Sequence, residues 1–120
     1  MVITSLGAGV WRLGNGLIDL DVSAAGLMAL RDRDGRNQLS SPLQLERYRD
    51  RGEFWDAWDL AADYRSQPLG VLGTDSLEWL DQGPLVAHLV LRRQLGASCM
   101  RLDLRLKADT PWLEQICSID

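Results

Sequence analysis

Residues 85–107 read LVAHLVLRRQLGASCMRLDLRLK, and apolar side chains recur at every second position along both halves of this stretch. In the second half, the even positions 100–106 are Met or Leu, while the odd positions 101–107 are charged. Residues 85–91 alternate in a similar way, with polar residues on the opposite face. A period of two is typical of a strand with one buried face, and Gly96 lies in a short link between the halves. The stretch therefore predicts an antiparallel β-hairpin.

Working outward, the same period indicates further strands on both sides of the hairpin. Asp34-Gly35 is a favoured pair for a hairpin turn. Pro42 is the first residue of the predicted strand 42–49, a position where a missing N–H is tolerated. Strands are predicted at residues 16–22, 27–31, 42–49, 76–81 and 112–119. The last of these carries apolar residues on both faces, which favours burial between layers.

Strands at intervals of eight to twelve residues, with little helical periodicity, predict an all-β fold, namely an antiparallel β-sandwich. At most one or two helical turns are expected, near residues 56–64. The predicted core contains Ile18, Leu20, Leu30, Leu45, Leu89, Leu91, Leu102, Leu104 and Leu106.

Residues 50–75 carry no convincing strand, and at their centre lies the WDAWD segment (residues 55–59). Loops this long in a compact domain are usually functional or disordered, and the local aromatic residues argue against disorder. One interpretation is that the aromatics pack the loop onto the sheet while Asp56 and Asp59 cap turns or pair with nearby arginines. The other is that Trp58 stacks on a sugar ring while the carboxylates accept hydroxyl hydrogen bonds. A spacing of three on a loop does not establish the paired carboxylates of a glycosidase.

Composition excludes several classes of function. The chain has 120 residues and a net charge of -4, with no basic stripe, so we expect one domain and no nucleic-acid partner. No apolar run reaches the roughly 20 residues that span a bilayer, and the N-terminus lacks signal-peptide features. We therefore expect no membrane association and a cytoplasmic location. Cys99 and Cys117 have no CxxC spacing and are predicted to be small buried hydrophobes.

The remaining motifs predict ordinary structure. Gly7-x-Gly9 does not belong to a phosphate-binding loop. Asp32-x-Asp34-Gly35 begins like a calcium loop, but Arg36 occupies a ligand position, so a plain turn is expected. His88 is the single histidine, which argues against multi-histidine zinc sites and a Ser-His-Asp triad, and we predict that it lies on the surface.

The order of these features resembles the C-terminal β-sandwich region of family 38 α-mannosidases, over roughly residues 12–120. The most specific element is Asp56-Ala57-Trp58-Asp59. The other elements are collinear but individually weak: NGLI at residues 15–18, GLMALRD at 26–32, GPLVA at 83–87, and a final strand ending SID at 118–120.

The resemblance implies a galactose-mutarotase-like sandwich, partial here, in which residues 1–120 form one domain of a longer retaining exo-α-mannosidase. Asp120 matches the aspartate of a V/I-D-W strand, and the chain stops in mid-strand, so we expect it to be a piece of the parent. The family's catalytic domain is an N-terminal α/β barrel that uses zinc and an Asp nucleophile. Its motifs are absent here, so no catalytic residue, metal ligand or cofactor is assigned to this chain.

The resemblance also implies partners for the sandwich. These are the parent's N-terminal catalytic domain and a mannoside, which Asp56, Trp58 and Asp59 would flank. We further expect self-association through an exposed strand edge. The alternative is a free-standing carbohydrate-binding or protein-interaction sandwich.

Overall fold

The computed structural model describes residues 1–50, 60, 63–71 and 76–120, and β-strands dominate this part of the chain. The strands are β1 (Val2–Gly7), β2 (Val10–Gly14), β3 (Asp19–Ser23), β4 (Gly26–Arg31), β5 (Glu46–Tyr48), β6 (Pro68–Val71), β7 (Ser76–Gln82), β8 (Val86–Leu95), β9 (Ser98–Lys107) and β10 (Leu113–Ile119). A 3₁₀ turn at Tyr64–Ser66 is the helical structure in the described residues. The fold is all-β, as the alternating pattern predicts. No helix within the described ranges has the length and apolar character needed to cross a membrane.

Two four-stranded sheets form the body of the fold. Their strand orders are β1-β2-β3-β4 and β10-β9-β8-β7, and every neighbouring pair is antiparallel. The short strands β5 and β6 pair with each other in a separate ribbon. Leu13 and Leu20 of the first sheet join Leu89 and Leu104 of the second in one apolar core. The sheets therefore pack face to face as an antiparallel sandwich.

The β8–β9 hairpin has the register that the sequence predicts. Leu89 lies opposite Leu104, and Ala87 lies opposite Leu106, so both pairs point into the core. Met100 begins the same buried row on β9. A shift of one residue would turn all these side chains outward, so burial fixes the register.

Most of the predicted core is confirmed. Leu30 and Leu102 are partly buried and pack against the core, while Leu45 is half-buried beside an apolar cleft. The fully buried members are Ile18, Leu20, Leu89, Leu91, Leu104 and Leu106. Arg93 takes a core-facing position of β8 and is also buried, which the alternating pattern did not bring out.

The N-terminal hairpin is an addition to the predicted strands. β1 and β2 are joined through Gly7, Ala8 and Gly9, all three with positive φ. Glycine adopts that conformation without a steric penalty, so these residues serve the turn. The hairpin brings Trp11 edge to face with Trp79 of the other sheet, at 5.6 Å between ring centroids.

Two predictions about the C-terminal strand and the cysteines are wrong. β10 lies at the edge of its sheet, and the described strands provide no partner on its far side. Trp112, Ile116 and Ile119 are consequently exposed. Cys117 is exposed on this edge strand, and Cys99 is exposed near the start of β9. The apolar residues on both faces of β10 therefore belong to an exposed edge strand and not to a strand buried between layers.

The predicted strand at 42–49 is confirmed only over Glu46–Tyr48. Its partner is β6, through antiparallel pairing of Glu46 with Val71 and Arg47 with Gly70. Pairing with a four-residue strand outside the two main sheets limits its length.

Candidate functional site

The WDAWD segment lies outside the described residues. Its predicted sugar-flanking residues, Asp56, Trp58 and Asp59, therefore stay a prediction. Along the sequence, the nearest described elements are β5 before this segment and the 3₁₀ turn and β6 after it.

That neighbourhood is aromatic and basic. Tyr48 of β5 meets Tyr64 edge to face at 5.4 Å, and the Arg65 guanidinium lies 5.6 Å from the Tyr64 ring centroid. Arg65 Nε also donates to the Tyr64 hydroxyl at 3.0 Å. The Tyr48 hydroxyl donates to Glu46, and this hydrogen bond to a carboxylate raises the pKa of Tyr48 above its ordinary value. The contact between Tyr48 and Tyr64 therefore links β5 to the 3₁₀ turn.

His88 lies on the outer face of the second sheet, but it is not a freely exposed surface residue. Its Nε2 is 2.6 Å from Asp103 Oδ1, across the β8–β9 hairpin. Arg101 donates two hydrogen bonds to the same carboxylate, from Nε to Oδ2 at 2.7 Å and from Nη2 to Oδ1 at 2.8 Å. The Asp103 side chain is 9% exposed and that of His88 is 21% exposed. The expectation of a surface histidine is therefore corrected to a half-buried, paired one.

In this cluster the Asp103 carboxylate orients the His88 ring through a hydrogen bond. The Arg101 and His88 hydrogen bonds hold the pKa of Asp103 down at about 2, so the carboxylate is ionised at neutral pH. An ionised acceptor fixes His88 Nε2 as the donor. Among the described residues, no serine, threonine or cysteine hydrogen-bonds to His88. The charge-assisted hydrogen bond between His88 and Asp103 links β8 to β9 on the outer face of the sheet.

The first sheet carries a matching arrangement around Asp21. Arg12 donates to both carboxylate oxygens, at 2.7 and 2.9 Å, and Arg31 Nη2 donates at 2.5 Å. These hydrogen bonds push the pKa of Asp21 well below its ordinary value. Asp21 is buried on the outer face, in the same way as Asp103. Each sheet thus holds one ionised aspartate under basic side chains.

The sequence contained a signal for these two clusters that was not used. Asp21 and Asp103 are mid-strand residues on the polar faces, and aspartate is depleted in strands. Arg101 precedes Asp103 by two residues, which places both on one face. A mid-strand aspartate with an arginine on the same face predicts such a pair.

Two pockets open between β4 and β10, where the edges of the two sheets meet. The Trp112 pocket has a volume of about 320 Å³ and lies beside Trp112, Asp32 and Gln38. The second is an apolar cleft of about 210 Å³, lined mainly by leucines and Met100, with Arg93 at its wall. Gln115 of β10 lines both pockets.

Within residues 1–50, 60, 63–71 and 76–120, no group of three or more His, Cys, Asp or Glu side chains is placed to hold a metal ion.

Comparison with known families decides where this sandwich belongs. The family model of the glycosyl hydrolases family 38 C-terminal domain matches residues 13–120, which is 108 of the 120 residues. The chain belongs to this family. No curated protein matches it.

The family 38 C-terminal domain match begins at residue 13, inside β2, and includes all of β3 to β10. It includes both edge pockets, the Asp103 cluster, and Asp21 with Arg31, while Arg12 lies one residue before the match. A family 38 C-terminal domain implies a catalytic domain in the same protein, so the sandwich functions as one part of a glycoside hydrolase.

Proposed function

We propose that this chain is a non-catalytic β-sandwich segment of an α-mannosidase that hydrolyses terminal α-D-mannosides. In this proposal residues 1–120 form one partial domain, which supports the catalytic barrel and places the WDAWD segment beside the sugar site. The observation that carries the proposal is the family 38 C-terminal domain match over residues 13–120.

Two carboxylates held by arginines, Asp21 and Asp103, are unsuited to either role of a glycosidase carboxylate. A glycosidase needs one carboxylic acid that is protonated and one carboxylate that is free to act. Asp21 and Asp103 have pKa values below their ordinary range, and arginines contact both oxygens of each. Neither group would donate a proton at neutral pH, and neither has a free oxygen facing a cleft.

Hydrolysis of an aryl α-D-mannoside tests this proposal directly. The 120-residue chain alone should release no product, while the parent protein should release it in a zinc-dependent manner. Deleting the sandwich from the parent should abolish activity or soluble expression. Turnover by the chain alone would contradict the non-catalytic assignment. A parent that cleaves only other glycosides would contradict the mannoside assignment.

A free-standing carbohydrate-binding module is the second candidate. The exposed Trp112 beside polar side chains favours it, because exposed tryptophan is suited to stacking on sugar. The reading frame upstream of this chain separates the two candidates, since the first requires a catalytic barrel there.

A further inference from the structure

We propose that the Trp112 pocket is a binding site for a neutral pyranose. This goes beyond the proposed function, in which the sandwich supports the catalytic barrel and the Trp112 pocket has no role. The pocket volume of about 320 Å³ falls at the lower end of the 300–1,000 Å³ typical of small-molecule sites. Its buried side is apolar, formed by Ile18, Leu30 and Leu113.

Trp112 supplies the stacking surface. Its side chain is at the pocket, and the residue is 57% exposed, an unusual position for a large apolar ring. Stacking on the C–H face of a pyranose would cover that surface while leaving the sugar hydroxyls free for hydrogen bonds.

The loop that carries Trp112 is held in place before any ligand arrives. Asn15 Nδ2 donates to the carbonyls of Lys107 and Thr110, both at 2.7 Å. Asn15 Oδ1 accepts from the backbone N–H groups of Leu17 and Ile18. One side chain thus ties the β9–β10 loop to the turn before β3. A fixed platform reduces the entropy lost on binding.

Asp32 and Gln38 supply oriented acceptors at the same pocket. Asp32 Oδ1 accepts from the N–H groups of Asp34 and Arg36, at 3.0 and 2.9 Å, which fixes the carboxylate. Gln38 Nε2 donates to Asp32 Oδ2 at 2.7 Å and faces the Arg36 carbonyl at 3.3 Å. The Gln38 amide oxygen and the remaining lone pairs of Asp32 Oδ2 are then available to sugar hydroxyls.

The charge of the pocket favours a neutral ligand. Arg31 and Asp32 both line it, so the charged side chains at the pocket are one basic and one acidic group that balance each other. Asp32 would repel a phosphate or carboxylate ligand. A purely apolar ligand would desolvate Asp32 without replacing its hydrogen bonds, which is costly. A hydroxyl-rich ring with one apolar face satisfies both requirements.

The test is an NMR titration of the ¹⁵N-labelled 120-residue chain with methyl α-D-mannopyranoside, alongside methyl β-D-glucopyranoside and the open-chain polyol sorbitol. We expect saturable shifts of the Trp112 indole N–H and the residue 32–38 amides, with a Kd of about 1 mM for at least one pyranoside. Sorbitol should produce no saturable shift, because it lacks a rigid face to stack.

The variant Trp112→Ala should weaken pyranoside binding at least tenfold, and Gln38→Ala should weaken it severalfold. The matched control is Ile116→Ala, which removes an exposed side chain of β10 outside the pocket and should bind as the wild type does. The ¹H–¹⁵N spectrum of each variant verifies its fold. Absence of saturable shifts with both pyranosides, or unchanged binding by folded Trp112→Ala, would overturn the proposal. Neither result bears on mannoside hydrolysis by the parent.

Discussion

At the scale of single residues, the two buried aspartates make the fold sensitive to acid. The pKa of Asp103 is lowered from its ordinary value near 3.8 to about 2, chiefly by the Arg101 hydrogen bonds. A lowered folded-state pKa stabilises the protein above the unfolded-state pKa, and this stabilisation is lost as pH falls through the folded-state value. The Asp103 contribution should therefore disappear between about pH 4 and pH 2.

Asp103→Asn is expected to lower the free energy of unfolding by about 2 kcal/mol at pH 7, as loss of hydrogen bonds to a charged group does. The difference from the wild type should shrink between about pH 4 and pH 2, since the wild-type carboxylate becomes protonated there. Urea denaturation at several pH values measures both effects. Glu78→Gln is the control, because the exposed Glu78–Arg92 pair should contribute about 1 kcal/mol or less. A difference that stays constant down to pH 2 would contradict the assignment.

The WDAWD segment gives a second prediction at this scale, in the parent enzyme. If Trp58 packs the loop down, Trp58→Ala should destabilise the fold by about 3–5 kcal/mol. If Asp59 binds a substrate hydroxyl, Asp59→Asn should leave stability unchanged but lower kcat/KM about ten- to a hundredfold. We expect both results. Unaltered kinetics in Asp59→Asn would remove the substrate-contact role.

At the scale of elements, β9 is one of the two central strands of the second sheet, and β10 is one of its edges. Leu104→Ala should lower the free energy of unfolding by about 2–5 kcal/mol, because Leu104 is buried between the sheets. Ile116→Ala on the exposed face of β10 should change it by about 0.5 kcal/mol or less. Thermal or urea unfolding of both variants measures the contrast, and equal effects would refute the difference in burial.

The strands of the two main sheets could be predicted from the sequence where one face of the strand is exposed to solvent, because apolar and polar residues then alternate. Residues 85–107 alternate almost perfectly, so both strands and their register follow from the sequence. β1 and β2 were missed because Gly7 and Gly9 resemble loop residues until their turn is seen. β10 was predicted as a strand, but its predicted burial was wrong because apolar residues on both faces fit a buried strand and an open edge equally well. Arg93 was unpredictable, since a buried arginine depends on tertiary surroundings.

The functional residues were less predictable than the strands. The Trp112 pocket joins the turn at residues 32–38 to the loop before β10, two segments more than 70 positions apart in the sequence (112 minus 38 is 74). Only the packing of the two sheets brings them together, and no local pattern records it. The Asp34-Gly35 turn was foreseen, but its use in holding the Asp32 carboxylate was not.

At the scale of the whole molecule, the edge of β10 remains an expected site of self-association. Ile116 and Ile119 are exposed, and an unpaired edge with apolar side chains tends to recruit another strand. Ile119→Lys should lower the apparent mass by light scattering at about 100 μM, well above a micromolar Kd. Leu85→Lys, at an exposed apolar residue between β7 and β8, is the control and should leave association unchanged. A strictly monomeric wild type would contradict this prediction.

The Trp11–Trp79 contact spans the two sheets, since one ring belongs to β2 and the other to β7. Two indoles 5.6 Å apart and nearly perpendicular couple their electronic transitions. This coupling weakens steeply as the two rings move apart. The Trp11–Trp79 pair is therefore an intrinsic spectroscopic probe of the contact between the two sheets. Circular dichroism in the aromatic bands reports whether the two sheets are closed on each other, independently of whether each sheet keeps its strands.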